Sequence, residues 1–301
     1  MVTRVASGDT ELISQQRLAD LNRRRDAPGW LQVAGHGGLI VVSAAIWLQP
    51  SWPWALRLPA LLLLGWGLAF GFCAMHECGH RTAFAGRGVN DAVAWWAGVL
   101  SFYNADFYRR YHQWHHRYTN QPGLDPELEE GHASRSRAAY LLELSGVSWW
   151  LGKLRSHWRG LRGDFSGCPY IPPEAAEAVR DSIRLQVLVY AVLLLVSLPA
   201  GNGLLFWGWL LPLLVGQPLL RFVLMAEHGG CATNDDGLQN TRTTLTLAPL
   251  RWLMWNMPFH CEHHLYPSLP FHALEAAHRQ IAPRLVHVAP GYLSVHRQLW
   301  R

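Results

Sequence analysis

Lysine is almost missing from this chain: Lys153 is the only one in 301 residues, so the formal net charge of +5 rests on arginine. There is no C-x-x-C pair, and the five cysteines, Cys73, Cys78, Cys168, Cys231 and Cys261, are odd in number with no disulfide-like spacing. That argues against a disulfide framework and predicts reduced, packed thiols. Residues 1–30 lack the apolar core of a secretory signal and carry Arg23, Arg24 and Arg25 instead, which predicts a cytoplasmic N-terminal segment. Internal repeats, low-complexity tracts and a second soluble domain are also missing. The arginines lie in short stretches between apolar runs rather than on one continuous face, which excludes nucleic acid as the natural partner and fits positive-inside membrane topology.

Long apolar runs, by contrast, are plentiful. Half of the residues are hydrophobic, and the near-zero mean hydropathy averages them with segments crowded with Arg and His. Four stretches, approximately Leu31 to Gln49, Ala55 to Met75, Ile183 to Ala200 and Leu204 to Met225, approach the about 20 helical residues needed to cross a hydrocarbon core. His36 and three glycines dilute the first, and Pro212 and Pro218 predict a kink in the fourth. The links Pro50 to Trp54 and Gly201 to Gly203 carry no charge, whereas the N-terminus and residues 104–182 are Arg-rich. The prediction is an all-α integral membrane protein: four transmembrane helices in two hairpins entering from the cytoplasm, with a helical cap on that side. Trp54 and Asn202 would then face the periplasm or lumen, in a bacterium across the inner membrane. Residues 31–285 form the membrane domain in this reading, between cytoplasmic segments 1–30 and 286–301. The run Ala92 to Phe102 is too short to span and reads as re-entrant or interfacial. Residues 138–158 read as one interfacial amphipathic helix. Trp95, Trp96, Trp149, Trp150, Trp207 and Trp209 read as interfacial anchors and packing rather than as substrate contacts.

The chemistry lies in three histidine boxes: His76-Glu77-Cys78-Gly79-His80, His112-Gln113-Trp114-His115-His116 and His260-Cys261-Glu262-His263-His264. At this histidine content a given H-x-x-H-H spacing arises by chance about 0.04 times per chain, so two copies carry information. Residues three or four apart share a helix face, so each box is expected to aim its imidazoles at a common point. The topology derived from hydropathy and arginine places all three boxes on one membrane face. His228, just past the fourth run, is either a ninth imidazole or a lone interfacial histidine. Nine nitrogens exceed the four that zinc takes and suit two metals with open positions.

The boxes, their order, and the pair of apolar runs between the second and third resemble the membrane fatty acid desaturase superfamily. The segments Asn240 to Thr244, Trp255 to Pro267 and Pro270 to Leu274 resemble a bacterial branch that includes rhizobitoxine-biosynthesis desaturases and rhizopine-catabolism oxygenases. The resemblance covers roughly residues 40–285. It implies a di-iron centre held by His76, His80, His112, His115, His116, His260, His263 and His264, with His228 matching the ligand that follows the last span. It further implies dioxygen as co-substrate and desaturation of a fatty acyl or lipid-like chain, or hydroxylation of a lipid or small metabolite. Box one has three intervening residues where many acyl-CoA desaturases have four, which weakens transfer of their substrate. The chain lacks the His-Pro-Gly-Gly signature of a fused cytochrome b5 domain, so electrons are expected from a separate ferredoxin or cytochrome b5 type donor with its reductase.

Two other classes compete. The first box matches H-E-x-x-H, in which two histidines bind zinc and Glu77 would be the general base of an intramembrane protease. That reading leaves boxes two and three idle. A metal transporter would place its ligands near the bilayer midplane, whereas these fall at the ends of apolar runs. Glu77, Asp106, Asp125, Glu227 and Glu262 are candidates to orient imidazoles, each weighed against an ordinary solvated or capping role. His132, His157, His272, His278, His287 and His296 read as surface histidines.

Overall fold

The computed structural model describes residues 12–128, 136–198, 201 and 203–300, so His132 and Asn202 lie outside the described part. The helices in chain order are α1 (Gln15–Leu21), α2 (Asp26–Trp47), α3 (Trp54–Gly79), α4 (Arg87–Ser101), α5 (Ala105–Tyr118), α6 (Arg137–Leu144), α7 (Val147–Leu161) and α8 (Pro173–Ser197). A π-helical turn, Phe206–Leu210, leads into α9 (Leu211–His228), followed by α10 (Ala248–Leu253), α11 (His260–Leu265), α12 (Leu274–Ile281) and α13 (Tyr292–Leu299). The two-residue strands β1 (Thr243–Thr244) and β2 (Val288–Ala289) pair in parallel.

Glycines make α3 the centre. A Cβ at Gly65 would collide with the Pro212 carbonyl of α9, one at Gly67 would press on Ile40 of α2, and one at Gly71 would touch Ala97 and Ser101 of α4. Three neighbours therefore approach α3 at three levels, the small-residue mode by which helices pack where lipid removes the hydrophobic drive. The contact with α9 is reciprocal, since a Cβ at Gly216 would run into the Gly65 backbone. His36, placed in a lipid-length helix, is a brace: its Nε2–H donates to the Gly67 carbonyl at 2.7 Å and its Nδ1 accepts from Trp255 Nε1 at 3.1 Å.

Three helices are long and apolar enough to cross a membrane: Asp26–Trp47, Trp54–Gly79 and Phe206–His228. The run expected from Ile183 lies in α8, whose first half carries Glu174, Glu177, Arg180, Asp181 and Arg184, so as a whole it falls below that standard. Its second half still exposes Leu185, Leu188, Val192, Leu195 and Val196. Of the two prolines expected to kink this run, Pro212 follows directly on the π turn, where proline supplies no N–H to the ladder of the preceding turn, and Pro218 lies inside α9. Residues 138–158 form two helices rather than one, broken at Gly146, which sits at φ 77° against the Gln217 side chain. All five cysteines are reduced, and all but Cys168 are buried.

Candidate metal centre

Each box occupies a helix end or a short helix packed beside α3. His76 and His80 close α3, His112, His115 and His116 occupy the second half of α5, and His228 ends α9. His260, His263 and His264 make up half of α11, whose entry is set by consecutive left-handed residues, Trp255 (φ 52°) and Asn256 (φ 60°). Such a pair is costly outside glycine and persists only where surrounding structure enforces it; Trp255 is wholly buried and tied to His36.

The nine imidazoles fall into two groups. His76, His80, His112, His116 and His263 form one; His115, His228, His260 and His264 form the other; within each, the candidate ligand atoms lie within 4.8 Å of one another. This corrects the expectation that each H-x-x-H-H trio aims at a single point. In box two the i and i+4 histidines serve the first group and the i+3 histidine the second; box three does the reverse. At 3.6 residues per turn, i and i+4 differ by about 40° around the axis while i+3 and i+4 differ by about 100°, so one short helix can feed two centres.

Hydrogen bonds fix the tautomers of the second group. His115 Nδ1 lies 2.9 and 3.0 Å from the Asp125 carboxylate, and His228 Nδ1 lies 3.0 Å from the Asn240 carbonyl. Thr119 spends its hydroxyl hydrogen on the His115 carbonyl, so at 3.2 Å it accepts from His264 Nδ1. All three rings thus carry hydrogen on Nδ1 and turn an Nε2 lone pair inward. His260 Nε2 stands 3.0 and 3.1 Å from the Nε2 atoms of His228 and His264. In the first group His116 Nε2 lies 2.9 Å from His112 Nε2 and 3.1 Å from His263 Nε2. Both nitrogens of His76, and His80 Nε2, His115 Nε2, His116 Nδ1 and His263 Nδ1, are buried without a hydrogen-bond partner among the described residues. Buried polar atoms are rarely left so, and converging lone pairs repel unless a cation sits between them. The donor set fits metal ions.

Charge agrees. Burial first, and then the other imidazoles, hold His112, His116, His260, His263 and His264 well below the ordinary histidine value, the neutral form metals require. His115 is the exception: against its burial, Glu127 and Asp125 raise it to about 9, so a proton has to leave its Nε2 before that atom can ligate a metal. Glu127, which sequence reasoning passed over, places its carboxylate 3.7 Å from His112 Nδ1 and 3.6 Å from His115 Nε2, facing both groups. The only signal for it was its position two residues after Asp125.

Among the carboxylates expected to orient imidazoles, Asp125 does so. Glu227 instead faces the second group directly, 3.5 Å from His260 Nε2. Glu77 accepts from the Thr82 hydroxyl and the Phe271 backbone N–H, Glu262 from Thr243 and His278, and Asp106 from Ser182, so none of these three touches a box imidazole. Two histidines read as surface residues are buried. His157 donates to the Lys153 carbonyl, and His296 donates to Phe222 O while accepting from Tyr140.

A cavity reaches the imidazoles at His76, His112 and His260. Four helices each give it one face, at spacings of three or four residues: Phe72 and His76 from α3; Phe107, Tyr108, Tyr111 and His112 from α5; Trp149, Lys153, Ser156 and His157 from α7; Arg221 and Leu224 from α9. Trp149 was expected to serve only in anchoring and packing. It lines this cavity and donates to the Tyr103 hydroxyl at 2.8 Å.

The sequence profile of the family described as Fatty acid desaturase matches residues 52–296. The chain is 30% identical over 283 residues to a sphingolipid delta(4)-desaturase/C4-monooxygenase of Rattus norvegicus, covering 88% of this chain and 77% of the relative. It is 25% identical over 292 residues to an sn-1 oleoyl-lipid 12-desaturase of Anabaena variabilis, covering 91% and 71%. With most of its length matched and its histidines gathered into two groups that could each hold a metal ion, the chain belongs to the fatty acid desaturase family of oxidoreductases.

Proposed function

We propose that this protein is a dioxygen-dependent di-iron desaturase of an aliphatic, lipid-like chain, with hydroxylation as the alternative outcome at the same site. The observation that carries this reading is the division of the boxes into a five-imidazole and a four-imidazole group. His76, His80, His112, His116 and His263 are assigned to one iron and His115, His228, His260 and His264 to the other. Iron at these positions would supply the activation of dioxygen. The chain's own part is positional. Asp125, Asn240 and Thr119 lock three imidazoles in the ligating tautomer, and Phe72, Tyr108 and Met257 line the cavity beside the imidazoles, where a methylene can be held in low-water surroundings.

Desaturation consumes one dioxygen, two electrons and two protons, and converts two neighbouring methylenes to an alkene with release of two waters. Hydroxylation consumes the same reductants and leaves one oxygen on carbon with one water released. The name of the rat relative joins both activities, which supports treating them as neighbouring outcomes of one site. The electrons are assigned to an external donor of ferredoxin or cytochrome b5 type with its reductase. Mass spectrometry of lipid extracts, after co-expression with such a pair, tests the function. We expect a product lighter by two hydrogens or heavier by one oxygen; unchanged lipids with an iron-loaded enzyme overturn the reading.

The topology is part of the proposal. α2, α3, the second half of α8, and the π turn with α9 are assigned as four spans of a multi-pass inner-membrane domain over residues 31–285. Segments 1–30 and 286–301 and the metal centre are placed on the cytoplasmic side. Uncharged turns and Arg-rich box-bearing loops support it. Cysteine introduced at Trp54 is expected to label from the periplasm, and cysteine at Gln113 only from the cytoplasm. Labelling of both from one side overturns the arrangement.

Glu127→Gln removes the carboxylate that faces both groups while leaving the nine imidazoles. Metal affinity is expected to fall about 10 to 100-fold, the range for outer carboxylates of metal sites. Competition with a chromophoric chelator measures it, and unchanged affinity would show that Glu127 does not act on the metals.

A further inference from the structure

His80 closes α3 and is followed by Arg81, whose φ of 61° puts a non-glycine residue in the left-handed region. That conformation persists only where surrounding structure enforces it. Arg81 is gripped at both ends. Its Nε and Nη2 donate to the two oxygens of Asp91, at 2.9 and 3.0 Å, and its carbonyl accepts from Arg24 Nε at 3.0 Å. Asp91, on α4, also accepts from Arg109 Nη2 at 2.5 Å. Arg109 lies on α5, three residues before His112, and its Nε donates at 3.1 Å to the carbonyl of Gly79, the residue before His80.

One carboxylate on α4 thus ties the end of α3 to α5, the two helices that carry four of the five imidazoles of the first group. The rings so placed are close: His80 lies 5.0 Å from His112 and 4.9 Å from His116, centroid to centroid. The need for such a tie differs between the groups. Asp125, Asn240 and Thr119 orient rings of the second group, whereas among the described residues no side chain outside the boxes hydrogen-bonds a ring of the first. Placement of those rings falls to the helices that carry them. An isolated surface ion pair would be a weak tie, but a bidentate arginine–carboxylate pair inside a three-residue network is the stronger kind. Arg109 is the most enclosed of the three, its side chain 16% exposed.

We propose that Asp91 is a positioning residue for the five-imidazole site. Through Arg81 and Arg109 it fixes His80 against His112 and His116, and so sets that site's affinity for metal without touching the metal. The inference rests on the reading of that group as a metal site. It does not depend on the reaction the metals carry out.

The test is zinc titration of the metal-stripped, detergent-solubilised protein against a chromophoric chelator, for the wild type and Asp91→Asn, each alone and combined with His263→Ala. Asp91→Asn is expected to raise the dissociation constant of one of the two zincs about 10 to 100-fold, the range for outer groups of metal sites, and to leave the other unchanged. In the His263→Ala background, where the first site is already lost, Asp91→Asn should change nothing further. Asp91→Glu, which keeps the carboxylate, should recover part of the affinity. Arg109→Lys keeps the charge but cannot give both bonds, so it should act as Asp91→Asn does, and it serves if that variant does not fold. Equal weakening of both zincs, or a weakening that persists beside His263→Ala, marks a general loss of structure and overturns the proposal, as does unchanged affinity. A wild type that holds a single zinc defeats the two-metal reading. The role of Asp91 then stands only if that zinc is weakened by Asp91→Asn and lost in His263→Ala.

Discussion

Replacing His263 with alanine is expected to remove metal and turnover together. His263 is buried, belongs to the five-imidazole group and lies 3.1 Å from His116 across the gap between α11 and α5. Its loss leaves four imidazoles whose remaining lone pairs no longer surround one point, so metal content should fall from about two to about one per chain, the site that keeps its full donor set being the other one. Dioxygen consumption, which needs both, should fall below detection. Glu77→Gln makes the contrast. Its carboxylate faces Thr82 and the Phe271 N–H rather than the imidazoles, so the substitution should cost about 1–3 kcal/mol of stability and leave most of the metal in place. A zinc protease built on the first box predicts the reverse, with Glu77 indispensable and His263 idle. Elemental analysis and oxygen-electrode rates on both variants separate the two, and full metal occupancy with wild-type turnover in His263→Ala would sink the ligand assignment.

Chelation followed by reloading should give a comparably large effect. The stripped protein is expected to have no turnover; iron restores it, while zinc, which has no redox chemistry, restores stability alone. Metal at a hundredfold over its dissociation constant stabilises the folded form by about 2.7 kcal/mol, which for a chain of this size raises the unfolding midpoint by about 5 to 10 °C. A single tightly held zinc, with no dioxygen chemistry after iron reconstitution, would count against a two-iron centre.

Much of this site was legible in the sequence because helical spacing and hydropathy are local. The three boxes, and the neighbourhood of Glu227 and His228, follow from residues read a few at a time. The division of each H-x-x-H-H between two groups was readable in principle, since the about 100° between i+3 and i+4 is fixed by helix geometry. It was missed because sharing a face was taken to mean sharing a target. Glu127 and Trp149 were not legible, because what assigns them is a long-range meeting of α5, α7 and the segment after Thr119. The same holds for His157 and His296, whose partners come from packing. In α8 the apolar run was visible, but the charged first half joins it in one continuous helix, whose start is marked only by Pro173 at the first helical position and Glu174 in the first turn.

The Gly65 and Gly216 contact acts on the two imidazole groups as a fulcrum. From that crossing α3 runs about 16 Å to His76 and α9 about 18 Å to His228, at about 1.5 Å per residue. Those two histidines belong to different groups. Any tilt between the helices at the crossing is therefore delivered, nearly undiminished, as a change in the separation of the two half-sites. The absence of two methyl groups in the middle of the molecule thus bears on the spacing of the two imidazole groups at its end.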